Sequence, residues 1–209
     1  MIIEVCAESF ENALKAEKAG AYRVELCKDL YLDGLTPDCE SAKKTIDSLN
    51  IPVFILIRPR EGDFIYSNEE FELMKSDIVK FKKMGCKGIV SGILNDDYSI
   101  DTERTKELVE LSKPLEFTFH RAFDMVKDPI EEIENLIKTG VDRVLTSGQK
   151  EKAIDGLDLL EQLNIIANNR IIIMPGSGIS KKNLKNFELF KEVHGSFKDE
   201  INSNGFKLC

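Results

Sequence analysis

Residues 115–120 read Leu-Glu-Phe-Thr-Phe-His, "LEFTFH". Side chains alternate along an extended strand, so Phe117 and Phe119 point one way while Glu116, Thr118 and His120 point the other. The same alternation recurs in "IIEVC" (2–6), where Glu4 and Cys6 share a face. It recurs again in "YRVELC" (22–27), where Arg23, Glu25 and Cys27 oppose Tyr22, Val24 and Leu26. Each strand thus has one apolar face suited to packing beneath helices and one polar face. Five further runs, "PVFILIR", "GIVSGI", "RVLTS", "RIIIMP" and "EVHG", complete a set of eight.

Between these runs lie seven stretches with helical patterning, at 9–19, 38–49, 69–84, 101–112, 128–139, 150–167 and 180–190. Ser67, Asp101, Asp128-Pro129 and Ser180 supply N-terminal caps, and Gly20, Gly85 and Gly140 supply C-terminal stops. Strand–helix alternation with few hairpin signals predicts parallel strands. Eight such units in 209 residues predict an α/β protein, a single TIM-barrel-like (β/α)8 domain over residues 1–209. An open doubly wound sheet is the alternative. After the last strand comes only "SFKDEINSNGFKLC". That tail is short and polar, so the eighth helix is expected to be short or missing, with a second copy of the chain covering the gap in a homo-oligomer.

The net charge is −8 with no isolated Lys/Arg cluster, which argues against nucleic acid as a partner. No apolar run approaches the ~20 residues of a membrane helix, so no membrane partner is expected. The first twenty residues read as a strand and a helix, not a signal peptide. The five cysteines, at 6, 27, 39, 86 and 209, are scattered without a CxxC motif. That pattern suits reduced thiols and a cytoplasmic location.

In a barrel, chemistry gathers at the C-terminal strand ends. Cys6 and Cys27 close consecutive strands, which lie ~4.8 Å apart if paired. Two thiolates there suit a soft ion such as Cu(I), bound near-linearly; the alternative is two small buried hydrophobes. Cys39 and Cys86 read as packing residues and Cys209 as free.

The loop "RPREGDF" (58–64) brings Arg58, Arg60 and Asp63, a set suited either to an anion or to surface ion pairs. Gly176 and Gly178 in "MPGSGIS" sit ahead of the predicted helix at 180–190, with Ser147 in a small-residue loop beside them. Together these suggest an anion cradle. His120 is a candidate general acid–base, with Arg121 or Asp124 to orient it or bind substrate, and His194 shares the rim. Glu4 and Glu25 either assist or form a structural network with Arg23 or Arg58. Two histidines are too few for a three-histidine zinc site, and no organic cofactor is evident.

Taken in order, "YRVELC", "GLTP" (34–37), "IRPREGDFIYS" (57–67), "FTFHRAFDM" (117–125), "DRVLTSGQ" (142–149), "IIMPGSGI" (172–179) and "EVHGS" (192–196) resemble the CutC copper-homeostasis family over almost the whole chain. Tyr22 departs from it, since the family commonly has Asp there. The resemblance implies a TIM-barrel-like fold, a cytoplasmic role in copper tolerance and trafficking, and Cu(I) binding through the cysteines matching Cys6 and Cys27. The other expectation is a TIM-barrel enzyme acting on a small anionic or phosphorylated metabolite through a His/Arg site at the barrel mouth.

Overall fold

A computed structural model describes residues 1–202; Cys209 lies outside them. The chain runs β1 (Ile2–Ala7), α1 (Phe10–Lys18), β2 (Arg23–Leu26), α2 (Cys39–Ser48), β3 (Val53–Leu56), α3 (Asn68–Met84), β4 (Gly88–Ser91), α4 (Thr102–Ser112) and β5 (Glu116–Phe119). It continues through α5 (Pro129–Thr139), β6 (Arg143–Thr146), α6 (Leu157–Ala167), β7 (Ile172–Pro175), β8 (Glu192–Gly195) and α7 (Lys198–Asn202). The eight strands form one parallel sheet in the order β7-β6-β5-β4-β3-β2-β1-β8. A single parallel bridge, Gly176 to His194, brings β7 to β8 and nearly closes the ring. The fold is therefore a TIM-barrel-like (β/α)8 structure.

The predicted caps act at three helices. Ser67 and Glu70 form a reciprocal capping box on α3, Asp101 accepts from Arg104 N at α4, and Asp128 accepts from Ile130 N and Glu131 N at α5. Each satisfies backbone donors that a helix start leaves open.

Two predicted helices differ. The stretch 150–167 begins with a 3-10 turn, Ala153–Gly156, before α6. The stretch 180–190 forms only a 3-10 turn at Leu184–Phe187. There the Asn183 side chain accepts from Ser180 N at 2.9 Å and donates to the Gly178 carbonyl at 2.9 Å. Those local bonds compete with helical ones. After β8, the described chain holds only the short α7, whose Asn202 accepts from Lys15 of α1 at 2.8 Å.

The outward strand faces, with Val5, Val24, Ile55, Ile89, Phe117, Phe119, Val144, Ile173 and Val193, are buried in the core beneath the helices. Inside the barrel the β3–β4 side is apolar, with Phe54, Leu56, Val90 and Cys27 packed together. Much of the remaining interior is ionic, with Met174 and Thr118 against its arginines. The Phe54 ring links the apolar and ionic sides, lying 4.9 Å from the Arg23 guanidinium and 5.3 Å from that of Arg143. It fits because residue 88 is glycine, where a Cβ would come within 2.5 Å of the ring. Gly88→Ala should therefore destabilise the fold by about 1–3 kcal/mol through overpacking. Urea denaturation checks this, and an unchanged midpoint would contradict the packing.

Candidate functional site

At the C-terminal ends of the strands lies a cavity of about 410 Å³, within the size range of small-molecule sites. Its wall includes Cys6, Glu25, Cys27, Arg58, His120 and His194. The structure thus brings these six residues, all singled out from the sequence, together from five different strand ends or the loops after them.

The floor is an ion network. Glu4 stands opposite Arg23 on β2 and His194 on β8 in the strand registers. Arg23 donates to Glu4 and to Glu192, and Arg143 reaches Glu192 at 3.0 Å and also pairs with Glu116. His194 Nδ1 lies 2.7 Å from Glu4 and 3.7 Å from Glu25. The cation expected near Glu4 is therefore Arg23, and Arg58 takes no part.

Glu4 and Glu25 are both buried, yet their environments differ. Burial opposes the Glu4 charge, but Arg23 and the His194 hydrogen bond outweigh it and hold the carboxyl down at about 2. Burial pushes Glu25 up to about 7, with the Glu4 charge adding to it against His194 and Arg23. Glu25 Oε2 has no hydrogen-bond partner. For His194, burial disfavours the charged ring, and the Glu4 hydrogen bond together with the Glu25 and Glu4 charges raises its pKa in spite of that. Two carboxyls driven apart in this way are equipped for different roles.

A stability prediction follows from the sign of the Glu25 shift. Its folded pKa exceeds the unfolded one, so folding is favoured at low pH and loses stability as pH rises from about 4.5 to about 7. At about 1.4 kcal/mol per pH unit this reaches on the order of 3 kcal/mol. The raised pKa of His194, which also faces Glu4 and Arg23, acts in the same direction. Glu25→Gln should flatten the decline and be more stable than wild type at pH 8. Parallel declines in urea denaturation across this range would contradict the assignment.

Cys6 and Cys27 place their sulfurs 3.6 Å apart. The strand register pairs Cys6 with Glu25, so Cys27 sits further along β2 than an equivalent strand end. The thiols still meet because both turn into the cavity. Cys27 is buried and Cys6 partly open. The hydrogen bond between Cys6 and Cys27, burial, and the charges of Cys27, Glu25 and Glu4 hold the Cys6 thiol well above its ordinary pKa. A ligand that captures these sulfurs as thiolates must displace protons. Among the described residues Cys39 is exposed and Cys86 buried, and both are free thiols away from the cavity wall.

The candidate general acid–base His120 accepts from Ala122 N through Nδ1 at 3.2 Å, as the cap of a 3-10 turn, Arg121–Met125, and meets neither Glu116 nor Glu4. Burial, reinforced by the nearby Arg58 charge, pushes its pKa down to about 3. The neutral ring then offers an N–H donor, and the histidine that meets a carboxylate is His194.

Arg121 bonds Asp124 at 2.7 Å and Ser147 Oγ at 3.2 Å. Asp124 also accepts from Thr146 Oγ1 at 2.5 Å and from Ser147 N at 3.0 Å. Ser147 is thus committed to tying the β5 and β6 loops together. Arg60 and Asp63 pair with each other at 2.8 Å, Arg60 also with Glu70 at 2.6 Å, and neither lines the cavity. Gly178 lines the cavity, whereas Gly176 forms the seam, its N–H bonded to Thr146 O at 2.9 Å. With no regular helix behind these glycines, the expected helix N-terminus is absent from that loop.

Sequence reasoning missed Arg143 and Glu192 in the network and Phe64 in the wall. Alternation along β6 and β8 held the signal for the first two, since Glu192 shares a face with His194.

The family model for the CutC family matches residues 1–199. A mouse protein named copper homeostasis protein cutC homolog is 49% identical over 184 residues, covering 88% of this chain and 68% of its own length. A family protein CutC of Pasteurella multocida is 42% identical over 208 residues, covering 100% of this chain and 84% of its own. The crystal structure of a putative copper homeostasis protein CutC from Streptococcus agalactiae superposes with a TM-score of 0.88 at 32% identity, covering 94% of this chain and 98% of that one. With the barrel, its mouth and these matches in hand, the chain belongs to the CutC family.

Proposed function

We propose that this chain is a cytoplasmic copper-homeostasis protein that holds Cu(I) between the thiolates of Cys6 and Cys27. The observation that carries the proposal is the pair of sulfurs 3.6 Å apart facing one cavity. Two soft sulfurs side by side suit a two-coordinate soft ion, and the thioether of Met125 lies elsewhere in the same cavity wall. Cys6, the more open of the pair, and Cys27 would hold the ion, and a near-linear arrangement would require their sulfurs to stand further apart than 3.6 Å. Burial pushes Glu25 alongside up to about 7, so its carboxyl can take up a proton near neutral pH and ease the negative charge of a bis-thiolate complex. The printed name of the mouse relative supports the copper role. Scattered free thiols favour a reducing compartment. Anaerobic titration against a competing Cu(I) chelator is expected to give one Cu(I) per chain. Complete retention of copper by the chelator would end the proposal.

A second reading, an enzyme acting on a small anionic metabolite, is favoured by the Glu4/Glu25 pair. Glu25, poised near neutrality at the cavity wall with a free oxygen, suits proton transfer.

A further inference from the structure

Among the described residues, two donors of side chains that line the cavity, Arg58 Nε and His120 Nε2, make no hydrogen bond, and the Tyr66 hydroxyl beside Arg58 makes none either. The Arg58 and His120 side chains are deeply buried, at 4% and 5% exposure. Buried donors are nearly always satisfied, so two left open in one wall point to a ligand.

We infer that Arg58 Nε and His120 Nε2 form a subsite for the carboxylate of a small organic acid, each donating one hydrogen bond. The inference rests on the second reading of the cavity as a metabolite site. Both donors are held in place. Arg58 Nη1 donates to the carbonyls of Leu32 at 2.7 Å and Gly34 at 3.0 Å, and Nη2 to that of Gly62 at 2.9 Å. His120 Nδ1 is taken by Ala122 N, which leaves the ring proton on Nε2. Phe64 packs against both, its ring 4.8 Å from the His120 ring and 4.9 Å from the Arg58 guanidinium. These bonds hold the two donor groups themselves in place, but both atoms have almost no accessible surface, so the wall must open for a ligand oxygen to reach them.

The chemistry of the wall selects the class. The Arg58 guanidinium and two single N–H donors match a monoanion with two oxygens, because the second guanidinium of the wall, Arg121, is paired with Asp124. A phosphate dianion carries more charge and a third oxygen, and it would face the carboxylate of Asp33 in the same wall. The glycine loop after β7 gives it no helix N-terminus. Leu30, Leu56, Leu145 and Ile179 supply apolar cover for a short carbon skeleton.

The chain has two histidines, so selective 15N-histidine labelling of the reduced, metal-free protein resolves both rings by NMR. Acetate, pyruvate and succinate are titrated at pH 7, with inorganic phosphate as the contrasting anion. At least one carboxylate is expected to shift the His120 Nε2–H signal, with phosphate binding about tenfold more weakly or not at all. In His120→Asn the side-chain oxygen still accepts from Ala122 N, and the Nε2 donor is gone. This variant should weaken carboxylate binding about tenfold with an unchanged urea midpoint. Wild-type affinity in that variant overturns the assignment. Phosphate binding with every carboxylate silent overturns the carboxylate class and leaves an anion site in the cavity. Silence from all the anions overturns the subsite and the metabolite reading together.

Discussion

Replacing both Cys6 and Cys27 by serine should lower Cu(I) affinity by more than about 100-fold, beyond the 10–100-fold loss typical of residues that only support metal ligands. The two sulfurs are the proposed ligands, and serine oxygen is a hard donor that a soft ion does not favour. The fold should survive, because Cys6 is partly open and serine is close to cysteine in size. Each single variant should bind weakly, since a lone thiolate cannot complete the pair. Wild-type affinity in the double variant, measured by anaerobic chelator competition with an unchanged urea midpoint, would contradict the account.

The second large effect concerns stability. Arg23→Met should destabilise the protein by about 3–5 kcal/mol at pH 7, the usual loss when one partner of a buried ion pair is removed. Arg23 is 2% exposed and touches two carboxylates, Glu4 and Glu192, that are 0% and 3% exposed. Methionine fills the space without compensating either. Arg143 still serves Glu192 and His194 still serves Glu4. Arg23 is also the chief group holding Glu4 at about 2, and its removal lets that carboxyl take up a proton at higher pH. The deficit should therefore be largest at neutral pH and shrink toward pH ~4, where the unpaired carboxyl is neutral. Adding Glu4→Gln should recover part of it through coupling between neighbours. A pH-independent deficit in urea denaturation would contradict the network.

Much of the barrel was legible because its strands are short and alternate. Phe117 and Phe119 face the helices while Glu4, Arg23, Glu25 and His120 face inward, as the two-residue period of a strand dictates. Other features depend on information that alternation lacks. That β8 pairs with β1, setting His194 against Glu4, is a matter of ring closure and register. The sequence makes Arg58 a candidate for an anion or a surface ion pair, and it does not show the loop carbonyls that consume its Nη groups. The helical pattern at 180–190 gave way to side-chain bonds of one residue, Asn183. His120 and His194 end strands on one rim, and their surroundings alone decide that the first is neutral and the second pairs with carboxylates.

The central claim is that Cys6 and Cys27 hold the copper, and Cu K-edge X-ray absorption on the anaerobic Cu(I)-loaded protein tests it directly. The account predicts a first shell of two sulfurs with no nitrogen or oxygen neighbour, lost in Cys6→Ser/Cys27→Ser. A shell of nitrogen and oxygen alone, or one unchanged in that variant, would contradict it.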